Sequence, residues 1–329
     1  MPRVRLRRAA RGLGAAALCA LLAFAAYASY AYAAYARVPP TRLPCRGCSE
    51  GARAVRVNGY DLYYRALGSD RGHPPIVVLH GGPGQSSLTF KGSLDALADD
   101  RRVVFYDQRG SGNSEIKPNP ADYTIEHLVD DLEVLRRDVI RSDQMVVLGH
   151  SFGGALAQRY ALAHPDRVSA LILVGSIRAN NGMSRRWFWK LLGPTLFSTV
   201  LGLPPADAAA ADAWMQPTPS DSESTGRLYD RTRTDIFTNV GYASFAVWRE
   251  LSLSIVGPDH RDDLRRLSTP TLVIYGKADS PYTGRDTATA LCALMPSCTA
   301  VGFAKSGHWP FLEEQDRFLR VVREFLAGR

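Results

Sequence analysis

The stretch that decides the fold reads Met145-Val-Val-Leu-Gly-His-Ser-Phe-Gly-Gly154. Its four leading apolar residues predict a short buried strand, and the residues that follow have a helical pattern that stops at Pro165. Between them lies a GxSxG pentapeptide, in a context typical of a sharp turn with an exposed serine hydroxyl. The glycines of this turn let strand and helix cross closely. We predict that Ser151 is a nucleophile and that His150 points away from the site; the alternative is a glycine-rich turn without chemistry.

Short apolar runs alternate with helical patterns on both sides of this stretch. The runs that predict strands are 54–57, 62–66, 75–80, 103–107, 145–148, 168–175, 271–276 and 298–304. Apolar residues at helical spacing predict helices over 125–140 and 311–326. This order is typical of βαβ units, and it predicts an α/β fold with a mostly parallel sheet. Residues 178–266 lack the order, and we interpret them as a mainly helical cap inserted between two strands.

Two polar side chains follow predicted strands near the end of the chain. Asp279 comes just after the strand at 271–276, and His308 comes just after the strand at 298–304. Because functional groups gather at the carboxyl ends of strands in open α/β sheets, we expect both to lie near Ser151. In a triad of this chain order, the histidine takes the serine proton and the aspartate orients the imidazole. Asp286 is the alternative acid, but it lies further from the strand end.

A serine nucleophile also needs an oxyanion hole, which consists of two backbone N–H donors aimed at the developing charge. The residue after the nucleophile, Phe152, is predicted to supply one of them. The second is expected from the loop His80-Gly-Gly-Pro-Gly84, which follows a predicted strand. Gly82 is the preferred donor and Gly81 is the alternative. We expect His80 to brace this loop rather than to act on a substrate.

The first 36 residues differ in composition from the rest of the chain. A basic flank at 1–12 holds five arginines and no acidic residue, and an uncharged run rich in alanine and tyrosine follows at 13–36. The length of the run favours a signal anchor that spans a membrane. A cleaved signal peptide is the alternative, because small-x-small patterns in the run could be cleavage sites. In either case the basic flank stays in the cytoplasm and the rest is exported. A linker at 37–51 then leads to the α/β domain at 52–329.

The formal net charge of +8 is concentrated in this N-terminal flank. From residue 37 onwards, 35 basic residues face 32 acidic ones, so the body of the protein is close to neutral. This balance gives no indication of a nucleic-acid partner. The partners that we expect are a small-molecule or short-peptide substrate and a membrane, which the apolar run would contact. No metal or organic cofactor is expected, because a triad and an oxyanion hole suffice for acyl transfer.

Four of the five cysteines form two close pairs, Cys45/Cys48 and Cys292/Cys298. Two local disulfides in an oxidising compartment are the interpretation that we favour. A zinc site is one alternative, although the spacing of the second pair is unusual for a zinc knuckle. A redox CxxC is another, although the first pair lies in a linker rich in proline and glycine.

Three motifs resemble the proline iminopeptidase branch of the α/β-hydrolase family. They are His80-Gly-Gly-Pro-Gly84, Asp107-Gln-Arg-Gly-Ser-Gly-Asn-Ser114 and the predicted helix that begins at Thr124, and the likeness extends over about 55–327. Members of that branch remove N-terminal residues, often proline, from peptides. Their cap supplies carboxylates that bind the free amine of the substrate. The resemblance thus implies Glu250 and Glu223 as candidate binding residues, and solvated surface carboxylates are the alternative.

The turn around Ser151 departs from that branch, whose members usually have Gly-Gly-Ser-Trp-Gly. Here the turn reads Gly-His-Ser-Phe-Gly, which is similar to many esterases. The sequence predicts an exported serine hydrolase, with a proline iminopeptidase-like aminopeptidase as the first hypothesis. A carboxylesterase or lactonase that acts on small apolar esters is the second hypothesis. A non-catalytic binding module with the same fold is the third.

Overall fold

The computed structural model describes residues 18–19, 21–26, 52–90, 92–117, 119–177, 227–232, 245–255 and 259–329. Within these ranges, no helix has the length and apolar character needed to cross a membrane. Several predicted features lie outside the described residues, namely the basic flank, most of the apolar run, the whole linker, Cys45, Cys48 and Glu223.

The described residues form one eight-stranded sheet with the order β1-β2-β4-β3-β5-β6-β7-β8. The strands are β1 (Ala52–Val57), β2 (Tyr60–Leu67), β3 (Ile76–Leu79), β4 (Val103–Tyr106), β5 (Met145–His150), β6 (Val168–Val174), β7 (Thr271–Gly276) and β8 (Cys298–Phe303). Strand β2 pairs antiparallel with both β1 and β4, and all other pairings are parallel. The predicted mostly parallel α/β sheet is confirmed.

Seven α-helices accompany the sheet in the part of the chain described from residue 52 onwards. They are α1 (Ile125–Val134), α2 (Phe152–Ala163), α3 (Phe245–Ser254), α4 (Arg261–Arg266), α5 (Arg285–Cys292), α6 (Pro310–Glu313) and α7 (Gln315–Leu326). Helix α1 continues as a π-helical turn, Leu135–Ile140, which ends at Arg141 in the left-handed conformation. Helices α3 and α4 fall within the predicted cap.

The predicted helix over 311–326 is divided at Glu314, which has φ −130° and ψ 53°. The side chain of Glu314 turns back and accepts hydrogen bonds from the backbone N of Lys305 and from Ser306 Oγ. These tertiary contacts explain why the helix is interrupted where the apolar pattern alone would continue it. The result is a short helix α6, which lies directly behind the loop at 304–309.

The central strands are buried on both faces, which is why they read as continuous apolar runs. All four side chains of β3 and of β4 are buried. Val77 and Leu79 face a core cluster that includes residues of α1 and α2, whereas Ile76 and Val78 face a cluster that includes residues of α7. The edge strand β8 is mostly half-buried or exposed instead. A disulfide joins Cys292 at the end of α5 to Cys298 at the start of β8.

A buried ion pair connects the loop after β4 to helix α1. Arg109 Nε lies 2.6 Å from Asp131 Oδ2, and Arg109 Nη2 lies 2.5 Å from Asp131 Oδ1. The two side chains are only 5% and 1% exposed. Asn58 of the β1–β2 turn donates a further hydrogen bond to Asp131 Oδ1 at 2.9 Å. The carboxylate thus holds together three segments that are distant in the sequence.

Replacing Asp131 by asparagine is expected to lower the free energy of unfolding by about 3 kcal/mol, because the guanidinium of Arg109 would stay buried without its counter-charge. Urea denaturation followed by circular dichroism measures the loss. The matched control is Asp130→Asn, which removes the same charge at the exposed neighbouring position and should change stability by less than about 0.5 kcal/mol. Equal losses in the two variants would contradict a specific role for the buried pair.

Candidate active site

Ser151 occupies the sharp turn between β5 and α2. Its backbone has φ 55° and ψ −116°, which is a rare conformation for a residue with a side chain. The turn is held by hydrogen bonds from Ser151 N to Val174 O at 2.9 Å and from Gly154 N to Ser151 O at 3.0 Å. A strained non-glycine residue that is pinned in this way is typical of functional positions. The serine side chain is thereby presented at the carboxyl edge of the sheet.

Two glycines make this turn possible. A Cβ on Gly149 would lie 2.2 Å from Gly153 O, and a Cβ on Gly153 would lie 2.3 Å from Leu79 O. Both distances are far below van der Waals contact, and backbone atoms could not move aside cheaply. The GxSxG spacing therefore follows from how closely β5, α2 and β3 approach one another.

Asp279 and His308 meet at the same edge of the sheet, after β7 and β8 respectively. His308 Nδ1 lies 2.8 Å from Asp279 Oδ2, and the two side chains are 3% and 0% exposed. The backbone N of Ser280 donates to the other carboxylate oxygen, Oδ1, at 2.7 Å. The predicted acid is thus oriented by its own turn. The alternative acid, Asp286, lies exposed in α5.

The protonation states of this pair suit a general base. Burial raises the pKa of Asp279, but the His308 charge, the hydrogen bond from His308 and the Arg227 guanidinium outweigh burial, so the pKa lies below its ordinary value. Burial and then Arg227 lower the pKa of His308 below its ordinary value of 6.5, against the opposing effect of Asp279. At neutral pH the carboxylate is therefore ionised and the imidazole is free to accept a proton.

The sequence predicts that His150 points away from the site. In the structure, its side chain instead lies beside the Asp279–His308 pair. Its Nε2 donates to the carbonyl O of His308 at 3.0 Å, and the two rings are 4.6 Å apart. Phe90 and Phe311 pack edge-on against the same ring. Burial, followed by the charge of His308, holds the pKa of His150 well below its ordinary value. The difference arises because the loop that carries His308 crosses the end of β5, a contact between residues 158 positions apart.

The loop after β3 is held against the turn by His80. Its Nε2 accepts a hydrogen bond from Gln108 N at 3.0 Å, so the proton is on Nδ1, which faces Gly81 O at 3.0 Å. Gln108 Nε2 in turn donates to His80 O at 2.9 Å. A Cβ on Gly81 would lie 3.0 Å from the Cβ of Ser151, so this glycine borders the side chain of Ser151. Gly82 and Phe152 stay predictions as the two oxyanion donors.

Asp107 organises the loops around the site, although the sequence analysis gave it no individual role. Its buried carboxylate accepts hydrogen bonds from Ser87 N at 2.6 Å and from Asn113 N at 2.8 Å. Its carbonyl O accepts from Ser114 Oγ, and that Oγ accepts from Tyr63 N. The motif at 107–114 thus fixes backbone positions, and its first residue supplies the acceptors.

The described part of the cap adds two observations. Helix α3 packs on the loop after β4, where a Cβ on Gly110 would come within 2.9 Å of the Val247 side chain. Glu250, a candidate for binding the substrate amine, lies half-buried on this helix.

The second observation is Arg227, which was not among the residues predicted from the sequence. Its Nη2 lies 2.8 Å from His308 Nδ1. No pattern in the sequence of residues 178–266 predicts this contact.

The comparisons with known proteins identify the family of the chain. A family model for the alpha/beta hydrolase fold matches residues 74–198. A proline iminopeptidase from Saccharolobus solfataricus is 30% identical over 292 residues, which cover 83% of this chain and 90% of that protein. The chain belongs to the proline iminopeptidase-like α/β-hydrolases. It is accordingly a hydrolase.

Other relatives of this α/β-hydrolase have different names. A 2-hydroxy-6-oxo-2,4-heptadienoate hydrolase from Pseudomonas putida is 26% identical, and the match covers 85% of this chain and 98% of that protein. The structure of a thermophilic esterase from Thermogutta terrifontis superposes with a TM-score of 0.66 at 25% identity, and the match covers 84% of this chain and 98% of that one. The family therefore includes proteins of more than one substrate class, and the relatives alone do not select among them.

Proposed function

We propose that this hydrolase is a proline iminopeptidase-like aminopeptidase that works through a Ser151–His308–Asp279 triad. The observation that carries the proposal is the buried hydrogen bond between His308 Nδ1 and Asp279 Oδ2 at the sheet edge where Ser151 is presented. With the imidazole proton on Nδ1, directed at this oxygen, Nε2 would serve as the base in the proposed mechanism.

In the proposed reaction, His308 Nε2 takes the proton of Ser151 Oγ while the oxygen attacks the substrate carbonyl. The N–H groups of Phe152 and of Gly82 or Gly81 stabilise the resulting oxyanion. The imidazolium then gives its proton to the leaving amine, the C–N bond breaks, and an acyl-enzyme remains. Water, deprotonated by His308, attacks the acyl-enzyme; the C–Oγ bond then breaks, the acid leaves, and His308 returns the proton to Ser151 Oγ. Throughout, Asp279 stabilises the imidazolium that forms.

The aminopeptidase hypothesis is supported by the iminopeptidase relatives and by the three motifs that resemble that branch. An aminopeptidase needs a group that binds the free amine, and Glu250 and Glu223 are our candidates. A second candidate function is ester or lactone hydrolysis. The Gly-His-Ser-Phe-Gly turn and the esterase of similar structure favour it. A non-catalytic binding module is the third candidate, and a complete set of triad residues argues against it.

We also propose that the protein is exported, with the run at 13–36 as a signal anchor or a cleaved signal peptide. A disulfide between Cys292 and Cys298 is consistent with an oxidising compartment. Fractionation of cells, followed by sequencing of the mature N-terminus, tests this proposal. Recovery of the full chain from the soluble cytoplasmic fraction would contradict export.

The substrate class is tested by comparing prolyl and alanyl arylamides with p-nitrophenyl esters of small acids. We expect kcat/KM for a prolyl arylamide to exceed that of its N-acetylated analogue by at least about 30-fold, because acetylation removes the charge that Glu250 or Glu223 would bind. A fluorophosphonate probe should label the parent protein but not the Ser151→Ala variant. Cleavage of esters alone would contradict the peptidase hypothesis, and a folded protein without labelling would contradict the hydrolase mechanism.

A further inference from the structure

Residues 227–230 form a strap that crosses the loop carrying His308. The backbone N of His308 donates to Arg227 O at 2.8 Å. A Cβ on Gly307 would lie only 1.8 Å from Arg227 O, so the two backbones are as close as a glycine permits. Leu228 is 2% exposed and belongs to the core cluster that contains Trp309 and Phe311. The strap is therefore packed on the loop as tightly as one core segment on another.

Glu313 of helix α6 fastens the strap to the loop a second time. Its Oε1 accepts a hydrogen bond from Tyr229 N at 2.7 Å, and its Oε2 accepts one from Gly307 N at 2.8 Å. One carboxylate thus bridges the two segments. Because the carbonyl O of Arg227 and the backbone N of Tyr229 are fixed in this way, the start of the Arg227 side chain has a defined position relative to the imidazole of His308.

The guanidinium of Arg227 reaches both members of the acid–base pair. Its Nη2 lies 2.8 Å from His308 Nδ1 and 3.4 Å from Asp279 Oδ1, and it donates to Thr283 Oγ1 at 2.8 Å. The Arg227 side chain is 29% exposed, whereas Asp279 is fully buried. The buried carboxylate of Asp279 thus has the imidazole of His308 at one oxygen and the guanidinium of Arg227 near the other. When the imidazole is protonated, both partners are positively charged.

We propose that Arg227 is a positioning residue for the Asp279–His308 pair, an inference that rests on the proposed triad. Nδ1 carries one proton, and in a working triad that proton points to Asp279 Oδ2. Arg227 then acts through its contacts with Asp279 Oδ1 and Thr283 Oγ1. These contacts hold the carboxylate in line with the imidazole. Its positive charge also opposes the uptake of a second proton by His308. By holding Arg227 in place, the strap thus keeps the imidazole of His308 unprotonated down to a lower pH.

The charged and titratable groups that face His308 come from four elements. Asp279, after β7, raises the pKa of His308, and Arg227 of the strap lowers it. His150, at the end of β5, packs on the ring and stays neutral because its own pKa is depressed by burial. Glu313 of α6 binds the backbone of the same loop. Because kcat/KM requires neutral His308, it rises with pH through the pKa of that residue, and removing Arg227 moves this rise to higher pH.

The test compares pH profiles of kcat/KM for p-nitrophenyl acetate in the parent and in Arg227→Gln. We expect the acid limb to shift upward by about one pH unit in the variant. We also expect a lower kcat in Arg227→Gln, because the carboxylate loses its contact with the guanidinium. Arg227→Lys, which keeps the charge but loses the planar fork, should restore most of the limb position but not kcat. Arg285→Gln removes an exposed charge six residues after Asp279 and should leave the limb within about 0.2 unit. If Arg227→Gln does not fold, Arg227→Met has the same expected shift.

A second measurement separates this inference from the proposed function. The titration of His308 is followed by NMR of ¹⁵N-labelled imidazole in a Ser151→Ala background, with and without Arg227→Gln, and the resonance is assigned with His308→Gln. An upward shift in the pKa of His308 supports the role of Arg227 even if no substrate is turned over. An unchanged His308 titration, or an unchanged acid limb in an active and folded Arg227→Gln variant, overturns it. Failure of the proposed function would instead appear as a parent protein that neither hydrolyses esters nor reacts with fluorophosphonate.

Discussion

Replacing Ser151 by alanine is expected to lower kcat by about six orders of magnitude, as loss of the nucleophile does in other serine hydrolases. Without Oγ there is no atom at the tip of the turn that can form the acyl-enzyme, and His308 has no proton to take. Residual turnover would come only from water held near the oxyanion hole. The measurement is single-turnover and steady-state hydrolysis of the best arylamide or ester substrate.

The control for this variant is Ser169→Ala. The hydroxyl of Ser169 is buried and has no hydrogen-bond partner among the described residues, and it lies near the start of β6, at the opposite edge of the sheet from Ser151. We expect its activity to stay within about twofold of the parent, because the substitution changes little in packing or charge. If Ser151→Ala retained even a hundredth of the parent activity while folded, the nucleophile would have to be another residue.

The elements that were predictable from sequence are those whose signal is local. The apolar runs of the central strands appear in the structure within one or two residues of their predicted bounds, because both faces of these strands are covered. Asp279 and His308 could be selected by their position just after strands, since the topology of a parallel sheet brings strand ends to one edge. Their positions after these strands were sufficient to predict that the two side chains meet.

The elements that were not predictable depend on contacts between distant segments. The division of the last helix at Glu314 follows from the contacts of its carboxylate with Lys305 and Ser306. The inward orientation of His150 depends on where the loop of His308 crosses the sheet. The contact of Arg227 depends on where residues 227–230 cross the loop that carries His308. None of these has a periodic or compositional signal in the sequence.

These same distant contacts determine how precisely the imidazole of His308 is held. The loop that carries His308 accepts a hydrogen bond from His150 at the carbonyl O of His308. It donates one to the strap from His308 N, and it donates one to Glu313 from Gly307 N. Three elements thus fix the backbone on either side of the imidazole. A catalytic group gains rate from such preorganisation because its geometry is established before the substrate arrives.

Replacing Asp279 by asparagine is expected to lower kcat by about four orders of magnitude, and the surroundings of the carboxylate explain why. Ser280 N donates to Oδ1 at 2.7 Å, so the amide oxygen of the asparagine must occupy that position. The amide NH₂ then faces His308 Nδ1, where it can only donate. The imidazole proton is forced onto Nε2, which faces away from the acid, and His308 can no longer act as the base for Ser151.

Asp286→Asn is the matched control, because it removes the same charge at an exposed position seven residues further along the chain and should leave kcat within about twofold of the parent. The ¹⁵N shifts of the His308 ring distinguish the two tautomers directly, and they should invert between Nδ1 and Nε2 in Asp279→Asn alone. A folded Asp279→Asn variant with the parent tautomer and a loss below about tenfold would show that the imidazole is oriented by other groups. In that case Arg227, which already contacts His308, and Thr283, which accepts a hydrogen bond from Arg227, would be the residues to vary next.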